Sequence, residues 1–306
     1  MKIIIYILLI AIAANVSVVS ADDKLNVLAC EPEWAALVKE LGGDLVAVKS
    51  ATAANQDPHH IQARPSLIAA ARRAELIVCT GAELEVGWLP LLQRKSANRN
   101  IQSGNPGAFM ASDFVLLKGI PDKLDRSEGD IHAEGNPHFH LNPKFVSQVA
   151  KFLNERLQLL DNANAQTYQH LYKKFDRRWQ DAILSWEKKA KPLTGKSMVV
   201  HHNSWLYLSE WLGLHTVATL EPKSGIPPTV NHLQLVLKMT KKKSADFIVH
   251  SSYQSNRSAN WLSKRTGLNV IALPNTVGSS PEVNDLFDLF DEIIDKLLKV
   301  QIDGKS

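Results

Sequence analysis

The sequence predicts an α/β protein of two similar lobes, each built on a parallel sheet, joined by a single long helix. Three observations carry that prediction. Short apolar runs alternate with helical patterns in both halves, a fixed offset relates the halves, and one amphipathic stretch between them is too long for a small domain.

Taken in order, residues 1–21 precede the first lobe. Lys2 is the lone charge before the apolar run Ile3 to Ala14, and Val19-Ser20-Ala21 supplies small residues, the pattern of a secretory signal cleaved after Ala21. The run is too short for a membrane span. Val27-Leu28-Ala29-Cys30 has the look of a lipoprotein cleavage box, but charged residues separate it from the apolar run, so no lipidation is expected.

The rest divides into an N-terminal α/β lobe, 22–143, a helical spine, 144–192, and a C-terminal α/β lobe, 193–306. Leu25 to Cys30 reads as a buried strand. Pro32 to Leu41 reads as a helix with Trp34, Leu37, Val38 and Leu41 on one face and Gly42 past its end. A strand at Asp44 to Val48, a long loop holding Asp57-Pro58-His59-His60, a helix from Pro65 to Arg73 and a strand at Glu75 to Cys79 complete a βαβαβ pattern. That order implies parallel strands with right-handed crossovers.

The second lobe repeats it: strand Met198 to Val200, a helix carrying Trp205, Leu208 and Leu212 with Ser204 as its cap and Gly213 as its end, then strand Thr216 to Leu220. Helix Thr229 to Met239 and strand Asp246 to Val249 follow. The differences 205 − 34, 212 − 41, 217 − 46 and 245 − 74 pair Trp with Trp, Leu with Leu, Val with Val and Ala with Ala, and all equal 171. A constant offset across four elements marks duplicated units. A strand at Asn269 to Leu273 and a helix from Asp285 to about Val300 close the chain.

The spine comprises Lys144 to Leu160 and then Asn164 to Ala190. In the second piece Tyr168, Leu171, Tyr172, Phe175, Trp179, Ala182, Ile183, Trp186 and Ala190 keep helical spacing among charged residues. Such periodicity argues for a rigid connection and against a flexible linker.

The formal charge is +4, or +3 without Lys2, so nothing demands nucleic acid or an anionic membrane as partner, and a monomer is expected. Cys30 and Cys79 end strands one and three; a disulfide and two buried thiols are both open, and neither residue is assigned to metal.

Loops after the carboxyl ends of parallel strands collect in one crevice, and the crevices of two lobes face each other. His59 follows the second strand, His138 lies in Gly135-Asn-Pro-His-Phe-His-Leu-Asn-Pro143, a loop stiffened by Pro137 and Pro143, and His201-His202 follows the first strand of lobe two. Three loops thus aim imidazoles at one cleft, and imidazoles suit Zn²⁺ well and Mn²⁺ less. His170, His215 and His232 lie elsewhere and receive no role. The sequence has no His-Glu-x-x-His, no Gly-rich phosphate loop, no Gly-x-Ser-x-Gly and no Cys-x-x-Cys, which leaves catalysis little support. Ser204 near His202 reads as a helix cap rather than a nucleophile.

These residues resemble the cluster A-I solute-binding proteins of bacterial zinc and manganese ABC importers. The resemblance rests on Asp57-Pro58-His59 followed by Arg64-Pro65-Ser66, on Thr80-Gly81-Ala82-Glu83-Leu84-Glu85 followed by Trp88-Leu89, on Asn136-Pro137-His138 with Leu141-Asn142-Pro143, and on Val200-His201-His202 before an aromatic helix. It implies a periplasmic, non-enzymatic receptor that captures Zn²⁺, or alternatively Mn²⁺, between its lobes and hands it to a membrane permease; a zinc-dependent hydrolase is the remote alternative. Position by position it implies His59, His138 and His202 as metal ligands, with His60, His140 and His201 as neighbours that orient them. The aspartate usual after the last strand is missing from Leu273-Pro-Asn-Thr-Val-Gly278, which leaves Glu221 or His250 to supply a fourth ligand, with Asn275 or water weaker candidates. The segment Pro121 to Glu134, with Asp122, Asp125, Glu128, Asp130 and His132, reads either as a reduced metal-collecting loop or as an ordinary surface loop.

Overall fold

The structure, a computed structural model, describes residues 24–121, 129 and 132–303. The signal segment and most of the acidic residues between Pro121 and Glu134 lie outside the described residues.

Two four-stranded parallel sheets organise the chain. The first comprises β1 (Leu25–Ala29), β2 (Val46–Ser50), β3 (Leu76–Cys79) and β4 (Ala108–Met110), in the order β2-β1-β3-β4. The second comprises β5 (Ser197–Val200), β6 (His215–Thr219), β7 (Phe247–Ser251) and β8 (Asn269–Leu273), in the identical order β6-β5-β7-β8. The β1–β3 and β5–β7 registers correspond at the offset read from the sequence, Ala29 opposite Val78 and Val200 opposite Val249, while β5–β6 carries a register shift between Met198 and Val199. The duplication read from the 171-residue offset is therefore a duplication of topology.

Nine α-helices are described: α1 (Pro32–Gly42), α2 (Pro65–Arg73), α3 (Leu89–Ser96), α4 (Pro143–Leu160), α5 (Ala165–Lys189), α6 (Leu206–Leu212), α7 (Val230–Lys243), α8 (Arg257–Thr266) and α9 (Leu286–Asp303). The long helix of the spine is α5, and α4 runs beside it, with the Trp179 indole donating to the Pro143 carbonyl at 2.9 Å. Each sheet carries its own outer core: α2 and α3 cover Leu28, Ile77 and Cys79 on the first, while α7 and α8 cover Val199 and Ile248 on the second. The inner faces share one core. It runs from Trp34 and Val38 on α1 through Leu153 on α4 and Trp179 and Trp186 on α5 to Phe290 and Ile293 on α9, and on to Met198 and Val200 of the second sheet.

Several boundaries differ from expectation. β2 begins at Val46 because a 3-10 turn takes Gly43–Leu45, with Gly43 at φ 52° and a Cβ on Gly42 placed only 2.4 Å from Val46. Such a turn requires glycine. β4, α3 and α8 were not foreseen: β4 has three residues, and α8 is largely polar outside Ala259 and Leu262. Ser204 does not cap α6. A 3-10 turn over Asn203–Trp205 precedes that helix and buries the Ser204 hydroxyl without a hydrogen-bond partner.

Cys30 and Cys79 are joined in a disulfide, with Cα atoms 4.7 Å apart at the ends of adjacent parallel strands. Both side chains are fully buried.

Candidate metal centre

The three principal histidines come from separate segments, each fixed by local geometry. His59 lies in the loop after β2, where Asp57 accepts from its backbone N–H at 3.0 Å and from its Nδ1 at 2.7 Å. His138 opens a 3-10 turn, His138–Leu141, with Asn136 Oδ1 accepting its backbone N–H at 3.0 Å. Pro143 then starts α4 and Asn142 caps it by accepting from Lys144 N–H, so the stretch expected as a stiff loop is a short turn anchored to a long helix. His202 follows β5 directly, with its Nδ1 2.7 Å from Glu221 Oε2.

The structure brings these three side chains together. Their ring centroids lie 5.8 Å (His59 to His138), 5.9 Å (His59 to His202) and 5.6 Å (His138 to His202) apart, and one nitrogen of each falls within 4.8 Å of the others. All are buried, 6 to 8 % exposed. With Nδ1 engaged on His59 and His202, Nε2 is the nitrogen left to each ring; on His138, Nε2 is buried with no partner. Outer carboxylates that fix the tautomer in this way turn a lone pair toward a common point and raise its basicity. Burial, reinforced by repulsion from His202 and His59, holds the His138 ring well below its ordinary titration range, so its lone pair is free at neutral pH. Burial is the largest influence on the Asp57 carboxyl and raises it, but the side-chain and backbone hydrogen bonds from His59 together with attraction to His59 and His60 outweigh it, and the net shift is downward.

Glu221 reaches the site on the Nδ1 edge of His202, with its other oxygen 3.6 Å from His201 Nε2, and accepts from Gly225 N–H. It lies against the Nδ1 edge of His202 and is not in the three-histidine set. His250 lies in β7 with its Nδ1 2.9 Å from the Ser251 carbonyl and is not among the three clustered histidines. His140 is buried between the lobes: its Nε2 is 2.9 Å from the Asn275 carbonyl and its Nδ1 3.4 Å from Glu33, whose carboxylate also accepts from Thr276. That carbonyl is the Asn275 backbone; the Asn275 side-chain oxygen accepts from the Ser252 and Ser279 hydroxyls at 3.2 and 3.5 Å. His60 is exposed, 6.2 Å from His59 between ring centroids. Burial lowers the titration of His201, partly offset by Glu221.

Two features went unread in the sequence. Asp57 stands two residues before His59, the spacing at which an Asx side chain bonds the backbone ahead of it. His132, singled out only within its loop, places Nε2 3.2 Å from His59 Nε2. Burial and repulsion from His59 and His202 push its titration down to about 3. Its position six residues before His138 was the available signal.

Residues 27–300 match the family described as zinc-uptake complex component A, periplasmic (ZnuA). The chain belongs to the ZnuA family. It is a metal ABC transporter substrate-binding protein, and membership in a family of solute-binding proteins, not enzymes, answers the question of catalysis. Among relatives, it is 25% identical over 262 residues to the metal ABC transporter substrate-binding lipoprotein ScbA of Streptococcus cristatus, covering 83% of this chain and 80% of that protein. It is 23% identical over 273 residues to the manganese ABC transporter substrate-binding lipoprotein PsaA of Streptococcus pneumoniae, covering 86% and 84%. Among solved structures, a zinc-bound deletion mutant of ZnuA superposes with TM-score 0.74 at 20% identity over 90% of this chain and 97% of that one. A cadmium-bound periplasmic metal-binding protein from Candidatus Liberibacter asiaticus superposes with TM-score 0.74 at 19% identity, covering 89% and 98%. At these identities the superpositions establish the fold. Among the described residues no helix is long and apolar enough to cross a membrane.

Proposed function

We propose that the chain is an extracytoplasmic receptor that captures Zn²⁺ in the cleft through His59, His138 and His202 and delivers it to the membrane permease of an ABC importer. The observation that carries the reading is the donor set: three buried imidazoles with nitrogens within 4.8 Å of one another and no carboxylate among them. Neutral nitrogen donors suit Zn²⁺, whereas Mn²⁺ favours sets richer in oxygen. The manganese alternative draws on relatives such as PsaA. Under this reading residues 1–21 are removed on export to the periplasm, and a monomer with lobes 22–143 and 193–306 on either side of the spine 144–192 holds one ion, with no nucleic acid involved.

Competitive titration of metal-free protein with Zn²⁺ and Mn²⁺ tests it. Zn²⁺ is expected to bind tighter than Mn²⁺, and His138→Ala to lose Zn²⁺. Retention of full Zn²⁺ affinity by His138→Ala would sink the site assignment.

A further inference from the structure

Three imidazoles leave one corner of a tetrahedron open, and structural and carrier zinc sites are closed by a fourth donor. The loop after β8 commits its polar groups elsewhere: the Asn275 backbone carbonyl faces His140 Nε2, its side-chain oxygen accepts from the Ser252 and Ser279 hydroxyls, and Thr276 donates to Glu33. Glu221 is held on the outer edge of His202. His132 stands outside the 4.8 Å set of the three histidines but against its His59 corner.

Two bonds of about 2.05 Å at the tetrahedral angle put ligand atoms about 3.3 Å apart. The His59 and His132 Nε2 atoms are 3.2 Å apart, with ring centroids at 5.2 Å. Because His59 gives its Nδ1 hydrogen to Asp57, its Nε2 carries a lone pair. A second Nε2 at that distance either donates to this lone pair or shares a cation with it. His132, His138 and His202 also line one cavity with Pro137 and Asn203.

His132 is placed by a turn whose backbone is otherwise unexplained. Ala82 and Glu83, after β3, both adopt left-handed φ values, 49° and 63°. Non-glycine residues are strained there and hold such angles only where their surroundings impose them. Here Glu85 imposes them from below, accepting from Thr80 N–H at 2.7 Å and Gly81 N–H at 3.1 Å. From above, Glu83 accepts the backbone N–H of Ala133, and His132 Nδ1 is buried with no hydrogen-bond partner. The strained turn therefore grips the residue next to His132 and sets the ring over His59.

We propose that His132 is the fourth ligand of the metal centre, making it an all-imidazole site, and that Glu83 is the residue that positions it. This rests on the zinc-capture reading above. Four neutral nitrogens strengthen the preference for Zn²⁺ over Mn²⁺ beyond that of three.

The test compares wild type, His132→Ala, Glu83→Ala and His138→Ala by competitive Zn²⁺ titration and by X-ray absorption of the zinc-loaded proteins. A circular-dichroism melt of each metal-free variant establishes folding. His132→Ala is expected to weaken Zn²⁺ by more than about 10-fold and to lower the imidazole count at zinc from four to three. Glu83→Ala is expected to keep four imidazoles and weaken binding less. If His132→Ala binds Zn²⁺ as wild type does with an unchanged imidazole count, while His138→Ala loses it, the inference falls and the zinc-capture reading stands. If His138→Ala also binds normally, the zinc-capture reading falls with it.

Discussion

Glu221 offers the sharpest separation between an orienting carboxylate and a ligand. Its Oε2 lies 2.7 Å from His202 Nδ1, and its side chain is 12 % exposed, so the hydrogen bond is short and largely sheltered from water. Removing a carboxylate behind a metal-bound histidine typically costs 10- to 100-fold in affinity, or about 1.4–2.7 kcal/mol. Glu221→Ala is expected to weaken Zn²⁺ within that range. Glu221→Gln keeps an oxygen that accepts the Nδ1 hydrogen and preserves the His202 tautomer while losing the charge, so its expected loss is under about 10-fold. A ligand role gives the opposite pattern, because a carboxamide replaces a bound carboxylate poorly and Gln then behaves like Ala. Competition against a chelating indicator at fixed pH measures both variants. Equal losses in Gln and Ala, or wild-type affinity in Ala, would refute the orienting role.

Other outcomes follow from the same geometry. The Cys30–Cys79 bridge spans 49 residues, and closing a loop of that size in the unfolded chain is worth about 4 kcal/mol, so Cys30→Ser with Cys79→Ser is expected to lower stability to denaturant by up to that amount. An unchanged unfolding midpoint contradicts it. Burial raises the Glu85 carboxyl to about 7 from an ordinary 4.5, and burial with repulsion from Glu85 and Glu33 raises Glu31 well above its ordinary value. A raised acid contributes stability that is fully present below its unfolded pKa and lost as pH rises through the folded one. Wild type should therefore lose stability relative to Glu85→Gln between about pH 4.5 and pH 7, and thermal melts with a pH-independent difference would exclude this.

Apolar periodicity and the 171-residue offset made the two sheets legible, because buried parallel strands read as apolar runs and a shared topology preserves their spacing. The disulfide was only half legible: Cys30 and Cys79 fall on neighbouring strands, but whether their side chains meet depends on register, and a sequence does not print register. The same limit governed the site. His59, His138 and His202 could be placed because they come from three separate segments that face one cleft. Glu221 was placed in the right loop, yet whether its carboxylate meets the ion or the ring behind it is a matter of a few ångströms. His132 was read only as part of its loop, because its position depends on Ala82 and Glu83 adopting left-handed angles, which nothing in Ala-Glu advertises.

The inner core runs without interruption from Trp34 to Phe290 and Val200, so neither lobe has a private interior on that side. A molecule built that way opens globally or not at all, and its two halves share one fate. A bound ion adds its mass-action stabilisation to the whole chain, growing with the logarithm of its concentration over the dissociation constant. Cargo then also acts as a preservative.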